Sequence, residues 1–172
     1  MQNKKTLKLV MAALFAAMTC VATMVIKIPI PATGGYINIG DCIVLLSGIL
    51  LGPLYGGLAA GIGSAMADLF SGYAAYAPAT FLIKGLMAAM IGLFVKNLSK
   101  KSMIKTAISA VLAECLMVFG YFFFEAVFMG YGLAAAAAIP GNAIQGIAGI
   151  VLTLILIPVF RTCGFPNLRK AP

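Results

Sequence analysis

Four long apolar runs dominate the chain, at roughly Leu9 to Ile28, Phe81 to Val95, Ile104 to Met129 and Ile139 to Phe160. A helix needs about 20 consecutive apolar residues to cross a hydrocarbon core, so each run predicts one membrane span. Between the first and second runs, Cys42 to Ala67 carries no charged side chain until Asp68. That stretch suits either one long helix or two short ones joined at GPLYGG. Gly52-Pro53 favours the break, because proline lacks an N–H and disfavours helix in the residue before it.

The placement of charge decides the count. Lys4, Lys5 and Lys8, then Lys96, Lys100, Lys101 and Lys105, then Arg161, Arg169 and Lys170 form three clusters, each beside an apolar run. Basic clusters flanking spans mark the cytoplasmic side. With the first two clusters on the same side, the number of spans between them must be even, which requires two helices within Cys42–Ala67. The pattern therefore predicts an all-α membrane protein, one six-helix transmembrane domain over residues 1–172. Its spans fall near 8–28, 39–52, 54–71, 78–97, 103–130 and 139–161, with both termini cytoplasmic. The start of the chain has basic residues before an apolar stretch, as a signal peptide does. The stretch is too long for a typical signal core and ends in no small-x-small site, so it reads as the first span.

Composition agrees and excludes other classes. The chain is 63% hydrophobic and 9% charged, with a mean hydropathy of +1.09, whereas soluble domains carry roughly 25% charged residues. The net charge of +8 lies beside the spans and not in one groove, which argues against nucleic acid. Histidine is absent, and Cys20, Cys42, Cys115 and Cys163 show no metal-binding spacing. No metal site and no cofactor are expected. No phosphate loop exists, so the chain cannot power ATP-driven transport alone. GIGSAM lacks the third glycine of a dinucleotide fingerprint.

Small residues recur at four-residue spacing: Ala12 and Ala16, Ala13 and Ala17, Gly52 and Gly56, Gly57 and Gly61. Such spacing lets helix backbones approach closely in lipid, either inside the bundle or against a partner.

Polar residues within the spans cluster on one side. At ~1.5 Å per residue, Lys84 sits about two turns below the outer mouth of its helix, and Glu125 about one turn below the outer end of the fifth. Asn142 and Gln145 share a face at the start of the sixth helix, after Pro140-Gly141, near a positive helix-dipole end. Asp68 ends the third helix, and Tyr36, Asn38, Tyr76 and Tyr121 lie at similar or shallower depth. Glu114 is the exception, near mid-membrane. Ionisable groups inside a bilayer are costly and point to function or to a named partner. The functional reading is an outward-opening pocket with aromatic walls, amides and charges of both signs, suited to a small polar heterocycle. The plainer reading pairs Asp68 with Lys84, or Lys84 with Glu125, and leaves the tyrosines as an interfacial belt.

The segment GGYINIGDCIVLLSGILLGPLYGGLAAGIGSAMADLFSGYAAYAPATFLIKGLMA closely resembles the S components of energy-coupling factor (ECF) vitamin transporters, of the riboflavin or hydroxymethylpyrimidine group. The similarity is dense from Tyr36 to Ala88 and looser beyond. It implies a multi-pass protein of the bacterial plasma membrane that captures a vitamin or precursor from outside. It further implies association with a transmembrane coupling protein and two cytoplasmic ATPases, with Ala12, Ala13, Ala16 and Ala17 on the docking helix and Pro29–Asn38 as a lid.

Within that resemblance, Lys84, Glu125, Asn142 and Gln145 suit one small ring bearing amino, hydroxyl or hydroxymethyl groups, as in pyridoxine or hydroxymethylpyrimidine. Riboflavin is the alternative. The rival class is a structural or assembly protein whose polar groups only pair with each other. An intramembrane enzyme has no support, for want of histidine, paired aspartates or a zinc ligand set.

Overall fold

The structure is a computed structural model that describes residues 4–97 and 103–162. Helix α1 (Lys4–Val25) leads into a hairpin of strands β1 (Lys27–Ile30) and β2 (Gly35–Asn38). Then follow α2 (Asp41–Leu51), α3 (Pro53–Phe70), α4 (Ala77–Asn97), α5 (Met103–Phe123) and α6 (Ile139–Thr162). A π-helical stretch, Phe124–Phe128, prolongs α5, and a 3-10 stretch, Gly132–Ala138, precedes α6. Of the basic clusters, Lys100, Lys101, Arg169 and Lys170 lie outside the described residues, as do Cys163 and the side chains of Lys4, Lys96 and Arg161.

The chain breaks at Gly52, whose φ of +87° is a conformation open to glycine, and Pro53 opens α3 where its missing N–H costs nothing. Two helices therefore occupy Cys42–Ala67. Helix α2 has 11 residues, too few at ~1.5 Å each to cross a ~30 Å core alone. It is apolar all round because it is the central helix. Val44 and Leu45 pack with Met87, Ile91, Ala113 and Met117 of α4 and α5. Leu46 packs with Phe15, Ala59 and Ile157 of α1, α3 and α6. Helices α1, α4, α5 with its extension, and α6 are long and apolar enough to cross a membrane.

The glycine spacing serves internal packing. Gly56 rests against Ser47 of α2, while Gly57 and Gly61 face Gly85 and Phe81 of α4. Gly48 of α2 touches the Ala88 carbonyl of α4 so closely that a Cβ there would displace backbone. The alanines of α1 divide. Ala12 and Ala16 pack inward, with the Ala16 carbonyl against Gly63 of α3, whereas Ala13 and Ala17 are exposed beside Val10, Leu14 and Val21.

The first helix ends at Val25, and Pro29–Asn38, the segment the resemblance makes a lid, lies within an antiparallel ribbon that pairs Lys27 with Asn38 and Pro29 with Tyr36. Pro29 disfavours helix at Ile28, and the β-branched residues of KIPI suit the strand.

Candidate functional site

The ends of α1, α3 and α5 meet the starts of α4 and α6 at one end of the bundle, and the hairpin closes over them. They enclose a cavity lined by Thr23, Ile30, Gly35, Tyr36, Asn38, Ser64, Asp68, Tyr76, Thr80, Lys84, Tyr121, Glu125, Asn142 and Gln145. All nine residues singled out for the pocket from the sequence are among them. The space left between these side chains is about 20 Å³, room for roughly one water.

The floor is an ion pair. Lys84 of α4 donates to Asp41, the first residue of α2, and their side chains are only 3% and 1% exposed. Gln145 donates through Nε2 to the other Asp41 oxygen at 2.7 Å and accepts the Asn38 N–H at 2.6 Å, joining α6 to α2 and β2. Asn38 Oδ1 in turn accepts the Gly40 N–H at 2.8 Å, a local turn that starts α2. Gly40 is required there, since a Cβ would run into the Thr23 hydroxyl. The Lys84 ammonium also lies 5.5 Å from the Tyr121 ring centroid, over its face, and the Tyr121 hydroxyl donates to Thr80 at 3.1 Å.

The plainer reading pairs Lys84 with Asp68 or Glu125, whereas the salt bridge in the structure is to Asp41. Lys84 holds Asp41, a residue the sequence reading did not single out. The signal was present: the chain has four acids, and all four are buried. Asp41 falls at the start of the predicted second span, 39–52, and opens α2 where Lys84 and Gln145 meet it inside the bundle.

The upper wall belongs to the hairpin. Tyr36 donates to Asp68 at 2.6 Å and stacks against Tyr73 with centroids 4.5 Å apart. The Tyr76 hydroxyl lies 2.7 Å from the Thr33 carbonyl and 3.1 Å from Glu125 Oε1. Lys27 donates to Ser71 at 2.8 Å. Burial first, then the bond to Asp68, push the Tyr36 phenol far above its ordinary value; burial and the neighbouring Glu125 do the same for Tyr76. Both remain neutral donors at any physiological pH. Glu125 reaches the cavity from the π-helical stretch, buried among exposed Phe123, Val127 and Phe128. Such stretches recur at functional sites because they re-aim side chains within a helix.

Four buried carboxyl oxygens and one hydroxyl keep unused capacity. Asp68 Oδ2, Glu125 Oε2 and Ser64 Oγ, all in the cavity residues, have no hydrogen-bond partner among the described residues, nor has Glu114 deeper in α5. Asn142 lines the cavity from the first turn of α6. No group of acids and cysteines among the described residues is arranged to hold a metal. The arrangement offers a cation, carboxyls, amides and phenols around one small volume, which is recognition chemistry.

Comparison with known proteins places this architecture. A sequence model of the ECF-type riboflavin transporter S component matches residues 3–162. The thiamine precursor transporter HmpT of Lactococcus lactis subsp. cremoris is 28% identical over 99% of this chain and 98% of its own. An uncharacterised protein from the gap 3′ region of Pyrococcus woesei is 39% identical over 77% of this chain and 86% of its own. The S component of a bacterial ECF transporter superposes with a TM-score of 0.68 at 25% identity, covering 97% of this chain and 99% of that one. The S component for biotin from an ECF-type ABC transporter shares the fold, with a TM-score of 0.64 at 21% identity, covering 91% and 93%. The chain belongs to the ECF-type riboflavin transporter S-component family, the substrate-binding membrane subunits of vitamin transporters and not enzymes.

Proposed function

We propose that the outer cavity takes a single nitrogen-containing ring of the pyridoxine or hydroxymethylpyrimidine kind. The observation that carries this reading is the convergence of Lys84, Glu125, Asn142 and Gln145 on one small volume. Lys84, held by Asp41, faces a ring hydroxyl or carbonyl; Glu125 faces a ring amine or protonated nitrogen; Asn142 and Gln145 fix the ring's edge. Asp68, Tyr36, Asn38, Tyr76 and Tyr121 complete the wall. The full-length similarity to a thiamine precursor transporter supports a ligand of this size.

A volume of about 20 Å³ is far below the ~300 Å³ of the smaller ligand sites. Loading therefore requires the β1–β2 hairpin to lift, releasing Tyr36 from Asp68, Tyr76 from Thr33 and Lys27 from Ser71. In the reading proposed, the chain crosses a bacterial plasma membrane six times with both termini in the cytoplasm. It passes its ligand inward after docking a transmembrane coupling protein driven by two ATPases.

The test is calorimetric titration of the purified protein with hydroxymethylpyrimidine, pyridoxine and riboflavin. Lys84→Ala and Asn142→Ala each remove a hydrogen bond worth about 1.5–3 kcal/mol in a dry site, so affinity falls at least roughly tenfold. Unchanged affinity in both folded variants contradicts the assignment. Riboflavin remains the second reading, favoured by the family match over residues 3–162.

A further inference from the structure

The outer cavity holds more acid than base. Asp68 of α3 and Glu125 of the π-helical stretch both line it, and each is only 2% exposed. Each commits one oxygen within the protein: Asp68 Oδ1 accepts from Tyr36 at 2.6 Å, and Glu125 Oε1 lies 3.1 Å from the Tyr76 hydroxyl. Thr80 faces the first carboxyl and Thr33 the second. Asp68 Oδ2 and Glu125 Oε2 still have no hydrogen-bond partner among the described residues. Leaving two buried acceptors unfilled is costly.

The nearby cations are already committed. Lys84 is bound to Asp41, whose second oxygen takes the Gln145 amide. Lys27, half-buried on β1, donates to Ser71 at 2.8 Å and sits 6.0 Å from the Tyr36 ring centroid. Asp41, Asp68 and Glu125 therefore face one buried ammonium and one at the hairpin. A single water would fit the remaining space of about 20 Å³ and would supply hydrogen bonds, but no positive charge. An ionised carboxylate only accepts, so whatever fills both positions must donate at both.

We propose that Asp68 and Glu125 act together as a charge filter, admitting a ring with a cationic, donor-bearing edge and rejecting its neutral oxygen counterpart and its phosphate ester. The inference rests on the single-ring reading of the outer cavity and narrows it. An aminopyrimidine places an exocyclic amine beside a basic ring nitrogen, and on protonation that edge is an amidinium with donors only. Charge-assisted bonds of this kind are roughly twice as strong as neutral ones. Oxygen in place of the amine turns a donor into an acceptor, which meets a carboxylate oxygen head-on. A phosphate adds negative charge where two carboxylates already lie in a low-dielectric site. Asp68 and Glu125 are thus specificity-determining residues, and Lys84 is not free to offset them.

The test is calorimetric titration of the full chain in detergent with three matched probes: hydroxymethylpyrimidine, its counterpart with oxygen in place of the ring amine, and its phosphate monoester. Riboflavin is titrated alongside. The amine binds at least about tenfold more tightly than the oxygen counterpart, as charge-assisted bonds in a dry site predict, and the ester gives no binding heat. Asp68→Asn combined with Glu125→Gln keeps the shape, removes both charges and brings the amine-to-oxygen ratio near one. An oxygen counterpart or a phosphate ester that binds the parent chain as tightly as the amine overturns this inference and leaves the single-ring reading standing. An amine preference that survives the double variant also overturns it. Binding of riboflavin with none of the three probes bound defeats the single-ring reading, and this inference with it. If the double variant does not fold, the parent ratio and the ester decide.

Discussion

Burying an ammonium and a carboxylate together costs several kcal/mol per ion, recovered only when geometry and further hydrogen bonds are good. Lys84 and Asp41 meet that condition through Gln145, which occupies the second Asp41 oxygen. Removing one partner leaves a bare charge, so Lys84→Met is expected to destabilise the fold by about 3–5 kcal/mol, read as a large fall in the melting temperature in detergent. Adding Asp41→Asn to Lys84→Met should restore most of that stability without restoring ligand binding. If the double variant binds normally, the pair is purely structural. Asp41 also shows what the sequence left illegible. Depth was inferred along each helix from its apolar run, and α2, shielded on all sides, starts where such counting puts the membrane surface. Lys84, Glu125, Asn142 and Gln145 were legible because polar groups inside long apolar runs stand out; their partners were not, because pairing depends on three-dimensional register.

The same contrast holds for elements. The break between α2 and α3 was readable from Gly52-Pro53, whose constraint is local. The hairpin was not, because Lys27–Ile30 continues the apolar run of α1 and only its pairing with Gly35–Asn38 makes it a strand. The π-helical stretch that turns Glu125 inward has no sequence mark at all. Element-level packing gives a sharp expectation at Gly48, where α2 meets the Ala88 carbonyl of α4. Gly48→Val overpacks that contact and should cost about 1–3 kcal/mol, while Gly72→Val, in open space but at a φ of +84°, strains only a surface turn. A Gly48→Val protein as heat-stable as the parent contradicts this packing. Tyr36→Phe removes the hairpin's bond to Asp68; stopped-flow binding should then show a faster association rate, and an unchanged rate means the hairpin is not what opens.

At the scale of the whole molecule, the exposed and buried faces of α1 separate two uses of small residues that the sequence alone could not divide. Ala12 and Ala16 hold α1 to α3, and Ala13 and Ala17 are left outside with apolar neighbours. Replacing Ala13 and Ala17 by leucine should therefore leave ligand affinity intact and abolish ATP-driven uptake in cells carrying the coupling module. Uptake at the parent rate would move the docking face elsewhere. The S-component fold with polar groups gathered at one end was legible from charge, spacing and the Tyr36–Ala88 similarity together; the choice of ligand rests on the size and chemistry of the cavity. The most direct measurement is to purify the protein from cells grown in rich medium, record its visible spectrum, denature it and identify what it releases by mass spectrometry. A colourless sample that releases a pyridine or pyrimidine is the predicted result. A yellow sample that releases flavin contradicts the single-ring assignment.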